Sequence, residues 1–191
     1  SYEDQVEHNR VTVFEDKRYQ YDLYGRLSVK ESGKRDSAKA QRLELTYNEE
    51  HQLIKAKRYI GEAGNTSDYH YDALGRRIAK RDLTGGVTLF VWDGMRLQQE
   101  RRHNRTMTYV YEPDSHEPMA RLDTPNPEVT WITLKPAQVY YFHNHVNGAP
   151  EEMTDSLGEV AWKARYTTWG NLAQELYPHE EPDRSGLGQR M

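Results

Sequence analysis

From Tyr19 the chain alternates aromatic and polar positions, Tyr19-Gln20-Tyr21. It then breaks at Asp22-Leu23-Tyr24-Gly25 before alternation resumes with Leu27 and Val29. A period of two marks a half-buried β-strand. Asp supplies a short side chain that bonds its own backbone and starts a turn. Glycine three residues later tolerates the positive φ that lets the chain reverse. The pattern predicts a β-hairpin of about 15 residues. It returns at Tyr69-His70-Tyr71-Asp72-Ala73-Leu74-Gly75-Arg76, after which Ile78 and Lys80 are expected on one face and Arg77 and Ala79 on the other. A decayed copy surrounds Tyr47-Asn48, a shortened one is Trp92-Asp93-Gly94, and a fifth surrounds Tyr111-Glu112. The anchors Tyr21, Tyr47, Tyr71, Trp92 and Tyr111 are spaced by 26, 24, 21 and 19 residues.

A lone hairpin does not hold together in water, so successive hairpins must pair side by side into one growing sheet. The connections carry the breakers Ser32-Gly33, Gly61 to Asn65, Gly85-Gly86 and Thr124-Pro125-Asn126-Pro127. The stretch Lys34 to Ala40 fits a helical turn or a polar loop equally. The organisation expected is a hairpin array over 1–125, a second region over 126–177 continuing the same sheet, and a poorly ordered tail over 178–191. Within the second region, Val129-Thr130-Trp131-Ile132-Thr133 reads as a strand. The fold class is all-β.

Composition narrows the picture. Hydrophobic residues make up 36% of the 191, and a mean hydropathy of -1.03 is low for a chain that closes a thick core. Fourteen tyrosines stand against three phenylalanines. A ring with a polar tip suits a thin sheet that is wet at its edges. Charged residues reach 29%, yet the net charge is only -4 with both signs interspersed, which argues against a nucleic-acid surface. The basic run Arg101-Arg102-His103-Asn104-Arg105 reads as a solvated turn. No cysteine is present, so disulfides and thiolate metal sites are excluded. No run approaches the roughly 18 apolar residues of a membrane helix, and Ser1-Tyr2-Glu3-Asp4 is no signal-peptide core. The missing initiator Met points to a start inside a longer polypeptide.

From Tyr140 the sequence becomes a long composite. It opens on Tyr141-Phe142-His143 and runs through Gly148-Ala149-Pro150, Thr154-Asp155 and Gly158. It then passes Trp162 and ends on Trp169-Gly170-Asn171. With Asp22, Gly25 and Arg26, and their equivalents Asp72, Gly75 and Arg76, it resembles the core signature of the Rhs, or YD-repeat, family over roughly residues 10–177. His145-Val146-Asn147 departs from the Asp-His-Leu of many relatives. The resemblance implies hairpins spiralling into a hollow β shell around a C-terminal toxin. In many members self-cleavage at an Asp-Pro motif frees the toxin inside. This chain has no Asp-Pro dipeptide, so plug, cleavage site and toxin are expected beyond Met191, and neither autoproteolysis nor toxicity falls to these residues. The partners implied are the rest of the parent polypeptide and its toxin, with a secretion spike protein and a chaperone. No nucleic acid or cofactor is implied. The setting is the bacterial cytoplasm before export and then secretion or delivery, most commonly by a type VI system. The residues expected to carry the architecture are Tyr21, Asp22, Gly25, Arg26, Tyr71, Asp72, Gly75, Arg76, Trp92, Asp93, His143, Gly148, Pro150, Asp155, Gly158, Trp162, Trp169 and Gly170.

Sharper chemistry has plainer competitors. His143 and His145 would share a strand face and would suit a metal only with a third ligand such as Asp155 or Glu151. The plainer role is that His143 braces the turn into Gly148. Glu151, Glu152 and Asp155 invite a glycosidase-type acid and base, but adjacent strand residues face opposite ways. Trp92, Trp131, Trp162 and Trp169 would stack sugars or bases, or simply pack the sheet. No nucleophile elbow, phosphate loop or His-Glu-x-x-His occurs. The segment is therefore read as structural, not enzymatic. The alternative is a carbohydrate or cell-surface adhesion module, the use that teneurin-like proteins make of such repeats.

Overall fold

The computed structural model describes residues 6–7, 9–34, 37, 39–126, 136–168, 170 and 172–178. All regular structure among them is β, in two units, Ser1–Val87 and Thr88–Met191. In the first unit β1 (Val6–Glu7) pairs with β2 (Arg10–Val11). Beside this ladder runs a meander of β3 (Val13–Phe14), β4 (Lys17–Tyr21), β5 (Leu27–Ser32) and β6 (Gln41–Tyr47). It continues with β7 (Leu53–Ile60), β8 (Ala63–Tyr71) and β9 (Arg77–Asp82). In the second unit the strands are β10 (Gly86–Asp93), β11 (Arg96–Arg101), β12 (Arg105–Tyr111) and β13 (Pro118–Pro125). They are followed by β14 (Gln138–Asn144), β15 (Pro150–Asp155), β16 (Val160–Tyr166) and β17 (Leu172–Leu176). Within each unit every pairing is antiparallel and joins sequence neighbours. Hairpin follows hairpin, as the repeat demands.

The registers overturn the simple alternation expected after each turn. Gln20 faces Val29 while Tyr21 faces Leu27, so Ser28 is an extra, unpaired residue. Leu27 and Val29 therefore lie on opposite faces. The same slip places Arg77 and Lys80 on one face, opposite Tyr71 and Tyr69, with Ala79 on the other. Matching one-residue bulges follow the turns after β6, β10, β12, β14, β15 and β16. A bulge shifts the side-chain period by one residue and tightens the local twist. Period-two reading cannot see it.

In the second unit the four buried residues among those described, Met107, Asp123, Met153 and Ala164, fall on one face. The register ties them together through Met107↔Asp123 and Phe142↔Met153, with Ala164 two residues beyond Trp162, the partner of Met153. The opposite face carries Thr108, Leu122 and Val139 in one row and Val110, Ala120 and Tyr141 in the next. Its residues Val110, Val139 and Tyr141 are exposed. Extensive strand contacts in each unit join only sequence neighbours. The hydrophobic core of the second unit is thus one face of a thin sheet, as the low hydropathy implied.

Several expected features fall outside the described residues. They are the strand at 129–133, Trp131, Trp169, Asn171 and the tail beyond Pro178. In the Lys34 to Ala40 stretch, Ser37 donates to the Lys34 carbonyl and Ala40 to that of Ser37, while residues 35, 36 and 38 lie outside the description.

Candidate functional site

The repeated chemistry of the chain is its turn. Asp22 N–H donates to the Arg26 carbonyl at 2.9 Å and Gly25 N–H to the Asp22 carbonyl at 3.0 Å, closing a three-residue loop. Gly25 has φ +81, the left-handed geometry that such a loop demands of its last residue. Asp22 Oδ1 accepts from the amides of Tyr24 and Arg26, both at 2.9 Å, and Oδ2 accepts from Arg26 Nε at 2.6 Å. Asp72, Gly75 (φ +77) and Arg76 repeat the arrangement. Burial pushes the Asp22 carboxyl up, but the Arg26 amide and guanidinium and the Tyr24 amide outweigh this and hold it below the usual range. For Asp72 the Arg76 side chain is the leading cause of the same lowering.

Two devices tie one hairpin to the next. The first is the Arg26 guanidinium, which reaches the Asn48 carbonyl at 3.2 Å and His51 Nδ1 at 3.0 Å. It lies between the rings of Tyr24 and Tyr47, at 4.8 and 4.7 Å from their centroids. The second is the hydroxyl of the tyrosine that ends β4, β6, β8, β12 and β16. Tyr21 donates to the Val11 carbonyl at 2.8 Å, Tyr47 to Leu27 at 2.9 Å and Tyr71 to Leu53 at 2.8 Å. In the second unit Tyr111 donates to Leu97 and Tyr166 to Pro150, both at 2.7 Å. For Tyr47, Tyr71 and Tyr111 the acceptor lies on the preceding neighbour strand, beyond the last paired rung. The phenol therefore satisfies a carbonyl that the ladder has left behind. Desolvation raises the pKa of Tyr47, Tyr71, Tyr111 and Tyr166. Sequence reading assigned these tyrosines to strands without finding the clamp. The visible signal was a tyrosine, rather than a phenylalanine, just before the turn.

The signature residues occupy the same device with different side chains. Asp155 accepts from the amides of Leu157 and Glu159 at 2.9 and 3.0 Å, and Gly158 has φ +81. Gly148 (φ +80) closes a turn that starts at His145, not His143. His143 instead meets Thr154 Oγ1 at 2.9 Å across to β15. Pro150 opens β15 and offers the carbonyl that Tyr166 clamps. Trp92 lies opposite Leu97 at a bulge, and Asp93 is the last residue of β10, opposite Arg96. Trp162 Nε1 donates to Glu175 at 3.0 Å. Gly170 has φ +78, and its amide bonds the Thr167 carbonyl. Glu152 is held by Lys163 at 2.7 Å while Asp155 serves its turn, so two of the three carboxylates considered as an acid and base are engaged in separate structural bonds, and Glu151 is exposed. Among the described residues no group of three His, Asp or Glu is placed to hold a metal. The basic run is partly neutralised: Arg102 pairs with Glu100, and Arg105 with Asp123.

Comparison with known proteins agrees with this repeat. The family described as RHS protein matches residues 139–176. The double-stranded DNA deaminase toxin A of Burkholderia cenocepacia is 36% identical over 182 residues, covering 87% of this chain and 12% of that protein. The chain belongs to the Rhs family. The toxin protein Tse5 of Pseudomonas aeruginosa is 30% identical over 92% of this Rhs chain and 15% of its own length. Human teneurin-1 is 26% identical over 69% of the chain and 5% of its own. The chain thus spans 12% and 15% of the lengths of the first two relatives.

Proposed function

We propose that this Rhs segment is a stretch of wall in a closed β shell that encloses a C-terminal toxin carried by the same polypeptide. The observation that carries the reading is the thin sheet. Each strand leans on its sequence neighbours, and what core there is occupies one face. A sheet of this kind gains cover and loses its open edges by winding into a closed surface. The toxin names of two bacterial relatives support a toxin as the cargo.

The role assigned to the segment is structural, with no catalytic residue. Residues 1–125 supply repeated wall hairpins and 126–177 carry the signature that continues them. Asp22, Asp72 and Asp155 with their glycines set the turns, and Trp92 and Trp162 pack the sheet. The partners proposed are the remainder of the parent polypeptide, its toxin, and a secretion spike with a chaperone. The path is from the bacterial cytoplasm to a target cell.

Protease treatment of the full parent protein tests the reading. The region downstream of Met191 should survive intact while the protein is folded and be digested once urea opens the wall. Digestion at the rate of a free domain under native conditions would defeat the proposal.

A further inference from the structure

Along the chain the two signs of charge are interspersed, but the paired register of the first unit sorts them by face. Across β4 to β9 one face carries five cations, Arg18, Arg42, Lys55, Lys57 and Arg81, among three carboxylates. Each of those carboxylates is ion-paired on the face itself. Glu31 meets Arg18 at 3.5 Å and Arg42 at 2.6 Å, Glu44 meets Arg42 at 2.9 Å, and Asp68 meets Lys55 at 3.3 Å. The other face bears the tyrosine clamps. It also carries five cations, Lys17, Lys30, Arg58, Arg77 and Lys80, but among the described residues of these strands Asp82 is its one carboxylate.

Asp82 is held by Lys80 at 3.0 Å and by the Ser67 hydroxyl. Lys17 is answered from its own turn by Glu15 at 2.9 Å and Asp16 at 3.6 Å. Lys30 and Arg77 instead lie against tyrosine rings, 5.9 Å from the centroid of Tyr19 and 5.5 Å from that of Tyr69. A ring face attracts a cation without cancelling its charge. Lys30 and Arg58 stand in one cross-strand row on either side of half-buried Leu43, about 10 Å apart, and Arg58 is exposed. Like charges gathered on one face repel one another, and a carboxylate-bearing partner relieves that repulsion.

We infer that this tyrosine-bearing face of the first unit is a docking surface for an acidic polypeptide segment. Charge complementarity selects the sign of the partner. The makeup of the face selects its class. A protein on duplex DNA commonly engages about 6–10 phosphates, more than five cations can meet when two of them already have carboxylates. The net charge of -4 on the whole chain also repels a polyphosphate. Leu43 and Leu45 lie among the cations on the same face and offer apolar contact, which peptide side chains use and a phosphate backbone does not. The inference stands apart from the shell reading, since it does not require that the sheet enclose anything.

The experiment is fluorescence anisotropy on the chain with a labelled synthetic peptide that alternates Glu with Ala, and with the same peptide carrying Gln for Glu. The Glu peptide should bind and the Gln peptide should not. Lys30→Gln combined with Arg58→Gln should weaken binding about tenfold, and Arg58→Glu alone, at an exposed position, should weaken it in the same direction. Lys55→Gln combined with Lys57→Gln on the other face should change it less than about twofold at 0.15 M salt, where the Debye length is about 8 Å. Far-UV circular dichroism of each variant separates lost docking from lost fold. A wild type that ignores the Glu peptide overturns the inference. So does equal weakening by substitutions on the two faces, which is the behaviour of diffuse charge. Duplex DNA bound as tightly as the Glu peptide overturns it too, in favour of a general polyanion surface. None of these results bears on protection of a cargo in the parent protein.

Discussion

Replacing Tyr71 by Phe removes one oxygen and leaves the ring. In the native chain that hydroxyl gives its proton to the Leu53 carbonyl at 2.8 Å, and Tyr71 is half-buried. Two contributions are lost together. One is the net value of the hydrogen bond, about 1 kcal/mol, and the other is a share of the penalty for a carbonyl left without its donor. Water can reach part of the site, so the sum is about 1–1.5 kcal/mol rather than the larger figure for a sealed interior. The assay is urea unfolding followed by circular dichroism, with Tyr24→Phe as the control. Tyr24 is 72% exposed at a turn tip, and its ring contacts with His51 and Arg26 survive the change. The midpoint for Tyr71→Phe should fall with the slope unchanged, while Tyr24→Phe should leave both in place. Equal midpoints for the two variants would refute the clamp. The two units need not melt together, so the comparison belongs to the transition that the Tyr71 substitution moves.

Three further outcomes follow from the same geometry. Gly75→Ala forces a Cβ into φ +77, where the nearest obstacle, Gln52 Nε2 at 3.5 Å, is an ordinary contact; the strain alone should destabilise by about 1–2 kcal/mol in the same urea assay. Asp72 has a folded pKa below its unfolded one, so its stabilisation is complete above about pH 4 and fades as pH falls through the folded value; Asp72→Asn should flatten the acid side of the stability profile and leave the alkaline side alone. Tyr47, Tyr71, Tyr111 and Tyr166 have folded pKa values above the unfolded one, so their clamps hold fully below about pH 10 and are lost as pH rises beyond it; an alkaline unfolding titration should weaken in Tyr47→Phe plus Tyr71→Phe.

The turns were the most legible part of the chain. Asp22, Gly25, Asp72, Gly75, Asp155 and Gly158 each do what a short acceptor side chain and a left-handed glycine do anywhere, so local sequence was enough. Faces were misread after the turns at Asp22 and Asp72, because an unpaired residue such as Ser28 or Ile78 leaves no mark in the hydrophobic pattern. The tyrosine clamps were missed for a related reason. Tyr71 and Leu53 are 18 residues apart, and only the paired register shows that a hydroxyl meets the carbonyl beyond the last rung. His143 was given the role that His145 fills, since both fit a turn and only the backbone bonds of Gly148 decide between them.

Electron cryomicroscopy of the full parent protein tests the wall most directly. The account predicts residues 10–177 in a closed β surface, with Tyr-Asp turns along its rims and protein density enclosed behind it. An open stalk or a flat exposed sheet over these residues, with the downstream domain lying free in solvent, would contradict it.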